Sequence, residues 1–232
     1  MKKTFKINNL VVSIYYNKNT SLINLPLVLF NLYDDKGDDI WDLVNELDTN
    51  EFIFVTISNI NWNDDMTPWY MNRLFSSDND YSGCADSYLN VLCNEVLPLV
   101  KDFIENKLFK KISFCCLGGY SLAGLFAIYS IFKTSCFSHF ISCSGSLWYP
   151  GFVDFIKDNL PIDLPERIYF SIGIKESNSK NQLLSDVLKC TLDIKDYFDN
   201  NGVVTIFEEN EGNHFQDVNY RIAKSIYPIL KE

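Results

Sequence analysis

One serine in this sequence stands where a nucleophile could be held. Ser121 lies in the stretch GGYSLAGLFAIY, after the apolar run KISFCCL and before a run with helical character. A turn that leads directly from a buried strand into a helix strains the serine backbone, so the residues two before and two after it must be small. Gly119 and Ala123 meet that requirement. The pattern predicts a nucleophile elbow in which the Leu122 backbone N–H, at the helix start, faces a developing oxyanion.

A serine nucleophile needs a general base, and the sequence offers two histidines. His139 lies in FSHFISC, inside a predicted strand, where a histidine is usually a structural side chain. His214 lies in EENEGNHFQD, just after the last predicted strand, where Gly212 lets the loop bend. In hydrolases built on an open parallel sheet, the chain order is serine, acid and then a histidine in a late loop. His214 is therefore the predicted base.

The acid that orients the base should also follow a strand. Glu176 comes shortly after the apolar run RIYFSIG, and sites in open parallel sheets lie beyond the carboxyl ends of the strands. Its carboxylate would hold the His214 imidazole in one tautomer and stabilise the imidazolium. Three further acids between the serine and the histidine belong to a predicted helix that would point them at solvent: Asp186, Asp193 and Asp196.

The elements that must position these side chains alternate along the sequence. Continuous apolar runs such as PLVLFNLY, FIFVTISN and RIYFSIG alternate with segments of helical periodicity such as DDIWDLVNEL and SDVLKCTLDIKDYFDNN. The opening TFKINNLVVSIYYN predicts one or two strands with a turn at Asn8–Asn9. This order predicts an α/β fold, with a mostly parallel central sheet covered by helices on both faces. Because no linker or repeat interrupts it, residues 1–232 are expected to form one domain.

The bulk composition limits the partners. The chain has 232 residues, 47% of them hydrophobic, which is enough for the core of one α/β domain. Its net charge of −10 argues against nucleic acid or an anionic membrane as the main partner. No apolar run approaches the length of a membrane span, and the N-terminal MKKTFKINNLVVSIYYN lacks the features of a signal peptide. We therefore expect a cytoplasmic protein that binds neither nucleic acid nor membrane.

The cysteines and histidines predict neither disulfides nor a metal site. Seven cysteines are an odd number, and Cys115 and Cys116 lie in an apolar run, where cysteine behaves as a small hydrophobic residue. This usage is typical of a reducing compartment. Since no spacing resembles that of zinc ligands, we expect no metal site.

Six stretches together carry a resemblance to a known family. They are NINWNDDMTPW, GCADSYLNVLCNEVLPLV, GGYSLAGLFAIY, SGSLWYPGF, YFSIGIKESNSKN and EGNHFQD. The sequence resembles, from about Pro26 onward, the putative-esterase family of α/β-hydrolases, which includes enterochelin esterase-like and S-formylglutathione hydrolase-like proteins. The resemblance implies an α/β-hydrolase fold and hydrolysis of a small-molecule ester or thioester through an acyl-enzyme, without metal or cofactor. By position it assigns Ser121 as nucleophile, Glu176 as acid and His214 as base.

The resemblance also indicates the surroundings of the serine. The loop after PLVLFNLY reads DDKGDD where the family has a histidine-glycine pair. That loop should supply the second oxyanion N–H, from Tyr33 or Asp34, and the Asp34 carboxylate must then point away from the developing negative charge. The segment SGSLWYPGF resembles the one that walls the family's site, and it places Trp148 and Tyr149 near Ser121.

Four aromatic residues lie in loops at the ends of the strands that lead to the site: Trp62, Trp69, Trp148 and Tyr149. They could line a substrate pocket or anchor their loops in the core. For Trp148 both interpretations stay open, whereas anchoring is favoured for Trp62 and Trp69. Two other functions also stay open: an acyltransferase with the same triad, and a non-catalytic binding protein on the hydrolase fold. Three triad candidates in the correct order argue against the last of these.

Overall fold

The computed structural model describes residues 1–47, 49–74 and 79–231, and its centre is an eight-stranded sheet. The strands are β1 (Lys2–Ile7), β2 (Leu10–Tyr15), β3 (Asn24–Asn31), β4 (Ile53–Ser58), β5 (Lys111–Tyr120), β6 (His139–Cys143), β7 (Arg167–Gly173) and β8 (Val204–Asn210). Their order across the sheet is β1-β2-β4-β3-β5-β6-β7-β8.

The sheet is parallel except at one edge. Neighbouring strands from β4 and β3 through to β8 are parallel, whereas β2 is antiparallel to both β1 and β4. The β1–β2 hairpin turns at Asn8, whose φ of 52° lies in the left-handed region that asparagine tolerates. The predicted starting strands, their turn and the mostly parallel sheet are therefore confirmed.

Helices cover both faces of the sheet, as the alternating pattern predicts. They are α1 (Gly37–Glu46), α2 (Trp62–Asp65), α3 (Ala85–Val91), α4 (Leu97–Asn106), α5 (Leu122–Ser130), α6 (Phe152–Asp158), α7 (Gln182–Ser185), α8 (Val187–Asn200) and α9 (Val218–Leu230). Helices α3 to α6 and α8 bury their apolar residues in the larger core on one face. Helices α1 and α9 enclose a second apolar core on the other face.

Two local features interrupt the alternation of strands and helices. The segment between β4 and α3 contains α2 and a β-bridge between Met71 and Tyr81. A π-helical stretch, Leu92–Val96, separates α3 from α4. Pro98 follows in the first turn of α4 and has no N–H to donate to the preceding turn, so the wider π turn accommodates it.

The carboxyl ends of the parallel strands meet at one edge of the sheet, and the candidate residues gather there. Ser121 directly follows β5, and Glu176 follows β7 after a short turn. His214 lies in the loop between β8 and α9. Three residues that are far apart in the sequence are thus brought to the ends of three strands, of which β7 and β8 are neighbours.

Two further structural facts concern the whole chain. Across the ranges that the structure describes, no helix combines the length and the apolar character needed to cross a membrane. All seven cysteines fall within the described ranges and are free thiols, and those of Cys115, Cys116 and Cys143 are buried.

Candidate active site

Ser121 occupies a strained turn between β5 and α5. Its backbone has φ 59° and ψ −122°, a region that residues other than glycine rarely adopt and that concentrates at functional sites. The turn is tight because a Cβ on Gly119 would lie 2.2 Å from the Ala123 carbonyl carbon. Glycine is therefore required two residues before the serine, and the predicted strand–turn–helix geometry is confirmed.

The His214 side chain lies between the serine and the acid. Its Nε2 is 3.0 Å from Ser121 Oγ, and its Nδ1 is 2.8 Å from Glu176 Oε2. Gly212, with φ 92°, turns the loop that carries the imidazole, and a Cβ there would collide with Gln216. The three side chains that the sequence singled out are therefore linked by two contacts of hydrogen-bond length.

Two loops that carry the acid and the histidine are joined by their backbones. The Ile174 N–H donates to the Asn210 carbonyl over 2.9 Å, and the Lys175 N–H donates to the Gly212 carbonyl over 3.0 Å. These bonds continue the pairing of β7 with β8 beyond the strand ends. The loop positions of Glu176 and His214 are thereby fixed relative to each other.

The Glu176 carboxylate is buried and fully engaged. Its side chain is 3% exposed. Oε1 accepts hydrogen bonds from the Gly173 N–H and the Ser144 hydroxyl, each 2.7 Å long, which leaves Oε2 for His214. Burial alone would raise the pKa of Glu176, but the hydrogen bond and charge of His214 and the bonds from Ser144 and Gly173 lower it below its usual range. The carboxylate therefore stays ionised at neutral pH.

Arg221 is a site residue that sequence reasoning missed. It is 2% exposed, its Nη1 lies 3.3 Å from Glu176 Oε1, and its Nη2 donates to the Glu211 carbonyl over 2.6 Å. A permanent charge beneath the carboxylate favours its ionised form. The only signal in the sequence is an arginine next to Ile222 within the apolar stripe of α9, seven residues after the histidine.

Tyr120 connects the arginine to the histidine loop. Its hydroxyl donates to the His214 carbonyl over 2.8 Å and accepts from Arg221 Nη1 over 3.1 Å. Burial raises the pKa of Tyr120 to about 12, so the hydroxyl keeps its proton and remains a donor. Tyr120, the residue before Ser121, thus fixes the position of the His214 backbone.

The alternative histidine and acids lie elsewhere. His139 is at the start of β6, the end of the strand away from the serine, where its ring stacks on Phe114 with centroids 4.0 Å apart. Its Nδ1 is 2.9 Å from the Ser138 hydroxyl, and burial lowers its pKa. The structural interpretation of His139 is confirmed. Among the described residues, the imidazole of His214 pairs with Glu176 and not with Asp193 or Asp196 of α8, nor with Asp186 at the turn between α7 and α8.

Two cavities open on either side of the serine and histidine. The first, of about 400 Å³, has an apolar floor that includes Ile40, Val218 and Ile222. The second, of about 470 Å³, has polar groups such as Lys175 and Asn178 beside apolar ones. Both cavities are lined by the same four residues at their junction: Trp62, Ser121, His214 and Phe215. Groups on both sides of a scissile bond at Ser121 could therefore be enclosed.

The structure corrects one prediction about the aromatic residues and extends another. Tyr149, expected beside the substrate, is 1% exposed and lines neither cavity. Its side chain is held in the core because its hydroxyl donates to the Trp69 carbonyl over 2.7 Å. Trp62 packs against the larger core, as expected of an anchor, and it also lines both cavities. Trp148 lines the second cavity. Trp69 is an anchor as predicted, since its Nε1 donates to the Pro150 carbonyl over 3.0 Å.

The predicted oxyanion donors border the first cavity and the elbow. Leu122 is the first residue of α5, so its N–H has no intrahelical acceptor. Tyr33 and Asp34 line the first cavity together with Ser121. The Asp34 side chain is exposed, as a position near developing negative charge requires. That these backbone N–H groups bind the oxyanion stays a prediction.

In the described part of the chain, no group of three or more histidine, cysteine, aspartate or glutamate side chains is arranged to hold a metal ion. The side chains around Ser121 instead form one hydrogen-bonded chain, from the serine through the histidine to a buried carboxylate and a guanidinium. Such a chain can remove a proton from the serine hydroxyl and stabilise the resulting positive imidazolium.

Known proteins share both this sequence pattern and this architecture. The family described as "Putative esterase" matches residues 37–216. The uncharacterized protein YbbA of Bacillus subtilis (strain 168) is 29% identical over 143 residues, which cover 61% of this chain and 56% of YbbA. The chain thus spans little more than half of that relative's length.

Solved structures are similar over almost the whole chain. The siderophore hydrolase EstA from Aspergillus nidulans aligns with a TM-score of 0.75 and 15% identity, covering 99% of this chain and 93% of EstA. An IroE-like serine hydrolase from Shewanella oneidensis aligns with a TM-score of 0.76 and 19% identity, covering 99% of this chain and 79% of the other. At these identities the similarity shows the fold, and it confirms the predicted α/β-hydrolase architecture.

Proposed function

Because the chain belongs to the family described as "Putative esterase", we propose that it hydrolyses a carboxylic ester or thioester through a Ser121–Glu176–His214 triad and an acyl-enzyme. Family membership supports an assignment to the carboxylic ester hydrolases. The observation that carries the proposal is the 3.0 Å contact between Ser121 Oγ and His214 Nε2, backed by the 2.8 Å contact between His214 Nδ1 and Glu176 Oε2.

The first half of the reaction transfers the acyl group to the serine. Ser121 Oγ attacks the carbonyl carbon while His214 Nε2 takes the hydroxyl proton, and the carbonyl oxygen becomes an oxyanion. The Leu122 N–H and a backbone N–H of Tyr33 or Asp34 are the proposed donors to that oxyanion. The tetrahedral intermediate then expels the alcohol or thiol, which leaves with the proton from the imidazolium. The product is an ester of Ser121.

The second half releases the acid and restores the enzyme. A water molecule gives one proton to His214 Nε2 as its oxygen attacks the acyl carbon. Collapse of the second tetrahedral intermediate returns that proton to Ser121 Oγ and frees the carboxylic acid. Throughout, the ionised Glu176 accepts a hydrogen bond from His214 Nδ1–H and stabilises the positive imidazole. Buried Arg221 and the Ser144 hydroxyl hold the carboxylate in place. This chemistry requires no metal or cofactor.

The two cavities indicate what kind of ester fits. An ester bound at Ser121 can place one substituent over the apolar floor of the first cavity and the other beside Lys175 and Trp148 in the second. We propose a small-molecule ester or thioester with bulky groups on both sides of the carbonyl. The similar EstA is described as a siderophore hydrolase, so siderophore esters are reasonable first substrates to assay. We also propose that residues 1–232 act as one domain.

Labelling with a fluorophosphonate probe tests this proposal. The probe forms a covalent bond with an activated serine, so we expect one label for each chain and its recovery on the Ser121 peptide by mass spectrometry. Ser146 offers a matched control, because its hydroxyl lies 3.4 Å from Ser121 Oγ without contacting the histidine. Ser146→Ala should still be labelled and Ser121→Ala should not. Failure to label the wild-type protein would exclude an activated serine.

The acid is tested by a pair of conservative substitutions. Glu176→Gln keeps the shape but removes the charge that stabilises the imidazolium, and we expect kcat/KM to fall on the order of 10⁴-fold. Asp186→Asn changes a half-buried carboxylate that pairs with the Gln182 side chain instead, so its kcat/KM should stay within about twofold of wild type. Steady-state assays of both variants with one ester decide the matter. A severe loss at Asp186 with little change at Glu176 would overturn the assignment.

A further inference from the structure

Asn31 is a buried amide with an unused donor beside the proposed nucleophile. It is the last residue of β3 and is 0% exposed. Its Oδ1 accepts a hydrogen bond of 2.6 Å from the Tyr88 hydroxyl. Its Nδ2 is buried and has no hydrogen-bond partner among the described residues. Because buried donors are almost always paired, an unpaired amide next to a reaction centre points to a partner that arrives with the ligand.

The position of Asn31 matches the place where a substrate carbonyl must lie. In the pairing of β3 with β5, Asn31 is opposite Gly119, two residues before the serine. Asn31 also lines the first cavity together with Ser121 and His214. The Asn31 side chain therefore belongs to the wall of the cavity that also contains the proposed nucleophile.

Tyr88 sets the orientation of the amide. It projects from α3, is buried, and packs edge-to-face on Phe126 with ring centroids 5.3 Å apart. Burial raises the pKa of Tyr88 well above its usual range, so the hydroxyl keeps the proton that it donates to Asn31 Oδ1. With the oxygen held toward α3, the amide nitrogen is left available to another acceptor.

We propose that Asn31 Nδ2 donates a hydrogen bond to the carbonyl oxygen of the substrate and to the oxyanion that forms from it, and that Tyr88 is a positioning residue for this amide. The inference rests on the proposed esterase function. No proton is transferred, because the amide donates a hydrogen bond only. The side-chain amide would be a second oxyanion donor beside the Leu122 N–H. Such a donor suits this chain, because its loop after β3 carries the exposed Tyr33 and Asp34.

The test uses a pair of substitutions that remove both polar partners together. The double variant Asn31→Leu/Tyr88→Phe removes both partners of the Asn31–Tyr88 hydrogen bond and leaves neither of them unpaired, so we expect its thermal midpoint to stay close to wild type. Loss of an oxyanion donor should lower kcat by about 10²- to 10³-fold, with a much smaller change in KM. Fluorophosphonate labelling should slow in parallel, because the phosphoryl oxygen occupies the place of the carbonyl oxygen, while the final label stays at one for each chain.

Two single variants and a control complete the experiment. Tyr88→Phe alone should lower kcat less than the double variant does, since the amide remains but is no longer oriented. Asn31→Asp keeps an acceptor for Tyr88 and replaces the donor, which provides a second test if the double variant does not fold. Ser142→Ala removes another buried and unpaired polar group, outside both cavities, and should leave kcat unchanged.

The outcomes separate this inference from the proposed function. If a folded double variant or folded Asn31→Asp keeps kcat within about threefold of wild type while Ser121→Ala is inactive, the esterase stands and the role of Asn31 is wrong. If Ser121→Ala keeps its activity, the proposed function itself fails. The inference would also be overturned if the double variant lowered kcat no more than Ser142→Ala does.

Discussion

Ser121→Ala is expected to lower kcat/KM for short-chain p-nitrophenyl esters by about 10⁴- to 10⁶-fold while the protein stays folded. The substitution removes the attacking oxygen and leaves binding and oxyanion stabilisation in place, which accounts for the small remaining rate. Alanine keeps the Cβ that the elbow already accommodates at φ 59°, so the turn is retained. The measurement is a steady-state assay beside a thermal unfolding curve.

Wild-type protein that has been fully labelled by a fluorophosphonate is the matched control. Its residual activity should not exceed that of Ser121→Ala, because the label covers the serine oxygen and also fills the place where the substrate carbonyl would bind. Activity of Ser121→Ala near the wild-type value, in a sample that unfolds at the wild-type temperature, would contradict a serine nucleophile at this position. The difference between the two residual rates would measure what binding and oxyanion stabilisation contribute without the serine oxygen.

His214→Gln is the second substitution with a very large expected effect, and His139→Gln is its control. Glutamine cannot take the serine proton, so kcat/KM should fall by about 10⁴- to 10⁶-fold. The same substitution at His139 changes a ring that stacks on Phe114 at the far end of β6, and the catalytic rate should be retained. The reverse pattern in the two variants would show that the wrong histidine had been chosen.

The pH dependence of the wild-type rate adds a separate test of the same residue. The lowered pKa of Glu176 keeps that carboxylate ionised as the pH falls below neutrality. Activity should nevertheless decline toward acid pH, because a general base must be unprotonated to accept the serine proton. His139→Gln should show the same decline. A rate that does not change between neutral and mildly acidic pH would argue against a histidine base.

Much of the site could be predicted because its parts are local. The nucleophile elbow is defined by neighbours in the chain, since Gly119 must be small to let the backbone approach Ala123. Glu176 and His214 follow apolar strands, and parallel strands deliver such residues to one edge of the sheet. The alternation of strands and helices likewise indicated the parallel sheet, because strands buried on both faces are continuously apolar. Each of these inferences needs only residues close in sequence and one topological rule.

Tertiary structure alone decided which groups support the triad and which aromatic residues face the cavities. Arg221 belongs to the last helix. Asn31 accepts a hydrogen bond from Tyr88, which is 57 positions away in the sequence. Tyr149 lies outside both cavities because its hydroxyl donates to a backbone carbonyl 80 positions away, and Trp62 lines both cavities in addition to packing on the core. A sequence pattern records whether a side chain is polar or apolar and how often it recurs. The direction of a single side chain depends on contacts between distant segments, and these exist only once the chain has packed.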